Sequence, residues 1–218
     1  MAIDVMKIAK WFIKKGLDQP RNTIDGNMKL QKLLYFSQLI SLAIYNKPLF
    51  NDPIYAFKNG SVVEKVRLKY KNDHREFIKE AEKDTFEFND KEQKVIDLAT
   101  GIFGGAGARE LSKLNHTHYS WKKAYENSIF NGVPLKNNST ISLDDIRKYD
   151  LEKIKEIIEA YKIDEKQSLK CEVINGIEFY YDPSEINLTE ELIEELETYD
   201  KEESYTIYKD PSLGMVVY

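Results

Sequence analysis

Residues 28–38 read MKLQKLLYFSQ and open the most apolar segment of the chain. From residue 33 to residue 45, nearly every position carries an apolar side chain. A helix that is apolar on all sides packs against several neighbours, so the pattern predicts a central helix from about Met28 to Tyr45. The apolar run is shorter than the ~20 residues that a membrane span requires, which favours a core helix.

Periodic apolar residues and capping residues predict a mainly helical domain around this segment. Asp4 is typical of an N-cap, and Asp90 with Gln93 resembles a capping box. The Asn59-Gly60 turn follows a short extended piece. Helices are predicted at about residues 4–15, 28–45, 62–71, 90–103, 108–114, 119–130 and 142–161, and extended pieces at 54–57 and 85–88.

The sequence changes character after about residue 163. Asn175-Gly176 lies between two apolar runs and predicts a hairpin with a type I′ turn. An acidic helix capped by Asn187 follows, and a second hairpin is expected around a turn at Asp210-Pro211. The predicted fold class is therefore α+β: a helical domain over residues 1–163 and an acidic ββαββ module over residues 164–218.

Composition places the chain among soluble globular proteins. It has 218 residues, of which 42% are hydrophobic and 32% are charged. The net charge of −5 is uneven, because residues 182–218 carry 11 acidic and 2 basic side chains while the rest has a net charge of +4. One cysteine, Cys171, forms no internal disulfide, and Met1 to Lys15 does not resemble a secretion signal, so we expect a cytoplasmic protein.

No set of residues predicts a metal site or a catalytic centre. His116 and His118 are close in sequence, but His74 and Cys171 lie far from them without ligand spacing, whereas zinc needs three or four ligands. We expect His116 to fill a polar turn and bond a backbone group. Gly104 to Gly107 lacks the Lys-Ser/Thr of a P-loop. We therefore predict no metal, no cofactor and no enzymatic activity.

Lys29 and Lys32 fall in the first turn and a half of the predicted central helix. The helix dipole disfavours cations there by about 0.3–1 kcal/mol each. Two explanations are open. Either an internal carboxylate compensates, such as Asp25 or a glutamate of the C-terminal module, or the lysines face an acidic or phosphate-bearing partner.

The acidic helix of the C-terminal module also has two interpretations. Charge runs usually face solvent. Alternatively, the carboxylates and nearby exposed tyrosines contact a basic protein surface of the kind that binds RNA or DNA. The residues of this predicted contact are Glu190, Glu191, Glu194, Glu195, Tyr199 and Tyr205.

Four strings in the chain, taken in order, resemble the signature of the SocA-like Panacea-domain antitoxin family. Residues 29–38, KLQKLLYFSQ, are similar to KLQKLLYYAQ. Residues 45–50, YNKPLF, are similar to YGKPLF, and residues 56–63, AFKNGSVV, to AWxxGPVV. Residues 110–121, ELSKLNHTHYSW, are similar to ELSxLTHxExPW. The chain departs from the family pattern at Phe57, Ser61, Asn115, His118 and Ser120, and residues 167–218 match nothing in it.

The resemblance implies a protein that works by binding another protein. Panacea domains occur as antitoxins in toxin-antitoxin operons and in prophages, where they bind the toxin, and some members deliver it to a protease. We expect the motif residues to be structural first: Lys29, Gln31, Lys32, Leu33, Tyr35, Gly60, Val62, Val63, His116 and Trp121.

The function predicted from the sequence is neutralisation of a cognate toxin by direct binding. Two alternatives are kept open: a phage-encoded inhibitor whose acidic surface imitates nucleic acid, and a protease adaptor. We expect no direct nucleic-acid or membrane partner. The protein is expected to act either as a homodimer or as a hetero-oligomer with the toxin.

Overall fold

The computed structural model describes residues 3–167, 169–210 and 214–218. The chain divides into two compact units, residues up to 158 and residues from 159 onward. The first unit is mainly helical, and the last helix named below continues into the second unit. The helices are α1 (Val5–Lys14), α2 (Ile24–Tyr45), α3 (Glu64–Asn72), α4 (His74–Lys83), α5 (Asp90–Phe103), α6 (Ala108–Thr117), α7 (Tyr119–Ser128), α8 (Leu143–Tyr149) and α9 (Leu151–Gln167).

Two antiparallel hairpins and one 3₁₀ turn complete the first unit. β1 (Ile54–Phe57) pairs with β2 (Gly60–Val63), with Ile54 opposite Val63. β3 (Ile129–Phe130) pairs with β4 (Val133–Pro134), and the 3₁₀ turn spans Lys136–Asn138.

The central helix is confirmed, but it begins earlier than predicted. Every residue of α2 from Lys29 to Leu42 is buried, and the helix packs against α1, α3, α5, α6, α8 and β2. The N-cap is Thr23, whose hydroxyl accepts a hydrogen bond from Gly26 N at 3.0 Å. Lys29 and Lys32 consequently lie in the second and third turns. The helix-dipole argument for these lysines is wrong, since that effect is confined to the first turn.

Several element predictions in the first unit are corrected. The segment that begins at Val62 is strand β2 first, and the helix starts only at Glu64. Helix α4 was not predicted. Residues 85–88 form no strand, because no described strand pairs with them and two lysines, Lys7 and Lys14, lie over the rings of Phe88 and Phe86 instead.

Helix ends in this unit also differ from the sequence prediction. The capping box of α5 is formed by Asn89 and Glu92, one residue before the predicted pair. Helix α7 stops at Ser128 because the Asn131-Gly132 turn, with φ of 50° and 78°, folds the chain into the second hairpin. The long last helix is broken at Asp150 into α8 and α9.

The second unit has the predicted ββαββ order. Its strands are β5 (Lys170–Ile174), β6 (Ile177–Tyr181), β7 (Ser204–Asp210) and β8 (Gly214–Val217), with α10 (Glu190–Leu196) between β6 and β7. The sheet order is β5-β6-β7-β8, and the central pair β6–β7 is parallel. Both hairpins form, and Pro211 of the predicted second turn lies outside the described residues. The N-cap of α10 is Thr189, not Asn187.

The second unit has a small core of its own. Apolar residues of α10 pack on the inner face of β6 and β7, and the rings of Phe179 and Tyr205 stack with their centroids 5.5 Å apart. The core residues are Phe179, Tyr181, Ile186, Leu192, Leu196, Tyr205 and Ile207.

Candidate functional site

Side chains of α2 hold the backbone of the β1–β2 hairpin. Gln31 Oε1 accepts a hydrogen bond from Val63 N at 2.9 Å, while its Nε2 donates to Asn27 Oδ1 at 3.1 Å. Val63 is the N-cap position of α3 and has no side-chain cap of its own. Gln31 therefore fixes the point where β2 turns into α3.

Lys32 reaches the same hairpin from the next turn of α2. Its side chain is 1% exposed, and Nζ donates to Ser61 O at 3.0 Å. Burial lowers the pKa of Lys32 to about 7. Lys29 is also buried, and its Nζ donates to Gly104 O at 2.7 Å.

No carboxylate compensates these two lysines within the described residues. The predicted partner Asp25 instead lies 3.9 Å from Arg109, and both ammonium groups are held by backbone carbonyl oxygens. The expectation of an internal carboxylate is therefore wrong, and a buried structural role replaces it. The second explanation, contact with an acidic or phosphate-bearing partner, stays open for Lys32, which lines the groove described below.

Helices α6 and α7 hold the other side of the hairpin. Ser112 Oγ donates to Asn59 O at 2.9 Å, and Asn115 Oδ1 accepts from Ser61 N. Trp121 Nε1 donates to Phe57 O at 3.2 Å. The hairpin is thus bound from two directions by side-chain hydrogen bonds to its backbone.

His116 lies in the last turn of α6, not in a turn between helices. Its ring stacks on Trp121 with a centroid distance of 4.0 Å. Burial lowers the pKa of His116, Lys32 opposes its positive charge, and a backbone hydrogen bond at Lys58 raises the pKa. The expectation of a polar turn is therefore wrong, and the buried Nε2 atom of His116 has no hydrogen-bond partner among the described residues.

The remaining motif residues are core. Leu33, Val62 and Val63 are buried apolar side chains, and Tyr35 is fully buried. Tyr35 OH lies 2.8 Å from His118 Nδ1. Burial raises the pKa of Tyr35 and lowers that of His118, so this hydrogen bond joins an uncharged phenol and an uncharged imidazole.

Asp150 is a third buried polar residue in this region, besides Tyr35 and His118. Its two carboxylate oxygens accept from Tyr119 N at 2.8 Å and from Ser120 N at 3.0 Å, which satisfies two free N–H groups at the start of α7. His118, the position where the family signature has an acidic residue, is 1% exposed. It therefore serves the core and offers no surface to a partner.

A groove of about 700 Å³ opens beside the clamped hairpin. Its walls come from the first turns of α2, both hairpins, α3 and the 3₁₀ turn. The cations that line it are Lys32, Lys58, Arg67, Lys71 and Lys136. The apolar side chains that line it are Ile24, Met28, Ala56, Phe57, Val62, Pro134 and Leu135. We call this the cationic groove.

Sequence reasoning missed the cationic groove, because its lining residues are scattered from position 22 to position 139. The sequence contains one partial signal, the motif residues Gln31 and Lys32, whose side chains reach it. Only the packing of α3 and β4 around the clamped hairpin brings Lys71 and Lys136 to the same opening.

The acidic face of α10 is solvent-exposed. Leu192 and Leu196 point into the core of the module, and the opposite side carries the carboxylates. Within the described part of the chain these carboxylates form no ion pair. The exposed carboxylates that define this face are Glu190, Glu191, Glu194 and Glu195.

The two tyrosines predicted beside this face are only partly available. Tyr199 is half-buried and its ring meets that of Tyr205 edge-on, with centroids 5.1 Å apart. The expectation that Tyr205 is exposed is wrong, since it is 9% exposed and its hydroxyl accepts from the backbone N–H groups of Lys201 and Glu202. Tyr205 belongs to the core because it faces Phe179 across the parallel strands.

In residues 3–167, 169–210 and 214–218, no three His, Cys, Asp or Glu side chains are grouped to hold a metal ion. None of the helices over those same residues combines the length and the apolar character needed to cross a bilayer.

The family model described as "Antitoxin SocA-like, Panacea domain" matches residues 30–122, which span α2 to the start of α7. Residues 30–122 are therefore similar to the SocA-like Panacea domain, as the sequence motifs predicted. No curated protein and no solved structure matches the chain.

Proposed function

We propose that the protein is an antitoxin that neutralises a cognate toxin by binding it directly, without a catalytic step. The match of residues 30–122 to the SocA-like antitoxin family supports an antitoxin-type role. In this proposal the Panacea domain is the scaffold, because its motif side chains are occupied in holding the β1–β2 hairpin.

The observation that carries the proposal of direct binding is the unpaired acidic face of α10. The carboxylates of this face are exposed and form no ion pair within the described residues; they are those of Glu190, Glu191, Glu194 and Glu195. Their negative electrostatic field therefore attracts a basic surface. Half-buried Tyr199 next to them supplies an aromatic contact of the kind that anchors interfaces. A toxin with a basic active or substrate-binding surface fits this chemistry.

Co-expression of the protein with the toxin encoded beside it tests the proposal. We expect growth to recover and the two proteins to purify together, and light scattering of the purified complex gives its stoichiometry. Recovery of growth without a complex would contradict direct neutralisation. A fall in toxin level that depends on a protease would instead favour the adaptor role.

Charge reversal tests the role of the acidic face. The triple variant Glu191→Lys, Glu194→Lys, Glu195→Lys should weaken toxin binding, mainly because it associates with the toxin more slowly. The association rate of the parent should fall in the same way when the salt concentration is raised. The matched control is Glu82→Lys, Glu126→Lys, Glu156→Lys, which changes the net charge equally at exposed positions. Equal loss in both variants would mean that only the net charge matters.

The same acidic face supports one alternative, an inhibitor that imitates nucleic acid. That function predicts binding to a nucleic-acid-binding host or defence protein, and competition by DNA or RNA for the same partner. A neighbouring toxin gene favours the antitoxin, and a solitary gene among phage genes favours the inhibitor.

A further inference from the structure

We propose that the cationic groove of the Panacea domain binds an acidic polypeptide segment that carries apolar side chains and belongs to a partner protein. All of the residues that line this groove belong to the first unit. The inference does not require the partner to be a toxin, so it stands or falls independently of the proposed antitoxin function.

The charge of the groove is the first argument. Five of its lining residues are Lys or Arg and none is Asp or Glu, although the chain as a whole carries a net charge of −5. Lys58 and Lys71 are exposed and form no ion pair within the described residues. Two unpaired cations in a concave surface that is lined by no carboxylate attract an anionic partner.

The other cations of the groove are partly compensated. Arg67 Nε lies 2.8 Å from Glu64 Oε2, and Lys136 Nζ lies 3.5 Å from Glu64 Oε1. One carboxylate is thus shared between two cations at the rim. Lys32 lies at the end toward the hairpin, where its ammonium group donates to Ser61 O.

The apolar part of the groove is the second argument. Ile24 is 80% exposed at one wall, and Leu135 is 42% exposed at the other. The β3–β4 hairpin, which leads directly into Pro134 and Leu135, exposes Phe130 and Val133 by 63% and 59%. Exposed apolar side chains in and next to a groove are typical of an interaction surface.

The extent of the apolar surface favours a polypeptide over a small anion. A volume of about 700 Å³ is within the range of small-ligand sites. However, the exposed side chains of the β3–β4 hairpin extend the apolar surface beyond the groove. A segment with alternating acidic and apolar residues would place carboxylates near Lys58 and Lys71 and apolar side chains against Ile24 and Leu135.

Binding of defined peptides to the full-length protein tests the inference. The probe is a short fluorescein-labelled peptide of Leu and Glu in equal numbers, followed by fluorescence anisotropy. Two matched probes replace Glu by Lys or Leu by Ser. We expect the Leu/Glu probe to bind, and both matched probes to bind at least about tenfold more weakly, which corresponds to about 1.4 kcal/mol.

Protein variants locate the binding site. Lys58→Glu with Lys71→Glu should weaken binding of the Leu/Glu probe about tenfold or more, and Ile24→Ser should weaken it without changing the salt dependence. The matched controls are Lys113→Glu with Lys122→Glu, which are exposed lysines outside the groove, and Ile163→Ser, an exposed apolar residue on α9. Both controls should bind like the parent.

Three results would overturn the inference. The first is no binding of the Leu/Glu probe to the parent. The second is an equal loss in the groove variants and in their controls. The third is binding of ATP that depends on Lys58 and Lys71 while the peptide does not bind, which would make the groove a small-anion site. None of these results depends on toxin neutralisation, so a failed growth rescue and a failed peptide experiment are distinguishable.

Discussion

The Cε atom of Lys32 lies 2.6 Å from the position that a Cβ atom on Gly60 would occupy. Asn115 Oδ1 lies 2.4 Å from the same position, and Gly60 has a φ of +101°. Helix α2, helix α6 and the β1–β2 hairpin therefore meet at a point that only glycine fits. The Lys32 and Asn115 hydrogen bonds to Ser61 depend on this close approach.

Gly60→Ala should strongly destabilise the helical domain. The positive φ alone costs about 1–2 kcal/mol, and the displacement of Lys32 and Asn115 brings the expected loss to about 3 kcal/mol or more. Urea unfolding followed by circular dichroism measures it. The control is Gly132→Ala, where φ is +78° but no atom lies within 4 Å of the new Cβ. Equal losses in the two variants would exclude the steric contribution.

Lys32→Met should change the pH dependence of the free energy of unfolding. Burial lowers the pKa of Lys32 to about 7, from an ordinary value of 10.5. Between pH 7 and pH 10.5 the unfolded chain binds more protons than the folded chain, so the free energy of unfolding of the parent increases as the pH rises. Below about pH 7, the full cost of burying the charged ammonium group is present. Methionine removes this dependence.

We therefore expect the Met variant to be more stable than the parent at pH 7, and the difference to narrow by about 1–3 kcal/mol by pH 9. Chemical unfolding of both proteins at the two pH values measures this. If the two stabilities keep a constant difference across the window, Lys32 titrates outside it.

Asp150→Asn should weaken the start of α7. An amide has one acceptor oxygen, so it cannot accept from both Tyr119 N and Ser120 N as the carboxylate does, and the expected loss is about 1–3 kcal/mol. Asp144→Asn is the control, because Asp144 is exposed and, within the described part of the chain, forms one ion pair, with Arg147 at 3.0 Å. Thermal unfolding of the two variants compares them directly. A loss confined to Asp144→Asn would contradict the capping role.

Deletion of residues 167–218 should leave a folded helical domain and abolish neutralisation. The elements that make the most extensive contacts with α2 all precede residue 150, so most of its packing is kept without the C-terminal module. Circular dichroism and a cooperative thermal transition test folding, and growth in the presence of the toxin tests function. A folded, still protective truncation would place toxin binding in the helical domain.

The sequence predicted those parts of the fold that depend on local pattern. The apolar run of α2, the Asp4 cap and the Asn175-Gly176 turn each carry their information within a few residues. The predicted start of α2 is too late because Thr23 and Gly26 form the cap. Position 26 requires glycine, since a Cβ atom there would lie 2.3 Å from Pro20 O and 2.4 Å from Asp18 O. That constraint comes from a chain segment folded back on the helix.

The candidate sites show the same limit. The acidic face of α10 was visible because it is one run of glutamates, whereas Tyr205 was misjudged because its burial depends on a parallel neighbour, β6. The partners of Lys29 and Lys32 are backbone carbonyl oxygens, which carry no sequence signature. The cationic groove needs residues from four separate regions and could only be found in three dimensions.

The parallel pairing of β6 with β7 has a consequence for biosynthesis. Phe179 finds Tyr205 only after α10 and the segment behind it have left the ribosome. Until then β6 lacks its parallel neighbour, while the elements that make the most extensive contacts with α2 have already been translated. The nascent chain therefore passes through a stage in which the helices around α2 are all present but the acidic, aromatic C-terminal module still lacks half of its sheet.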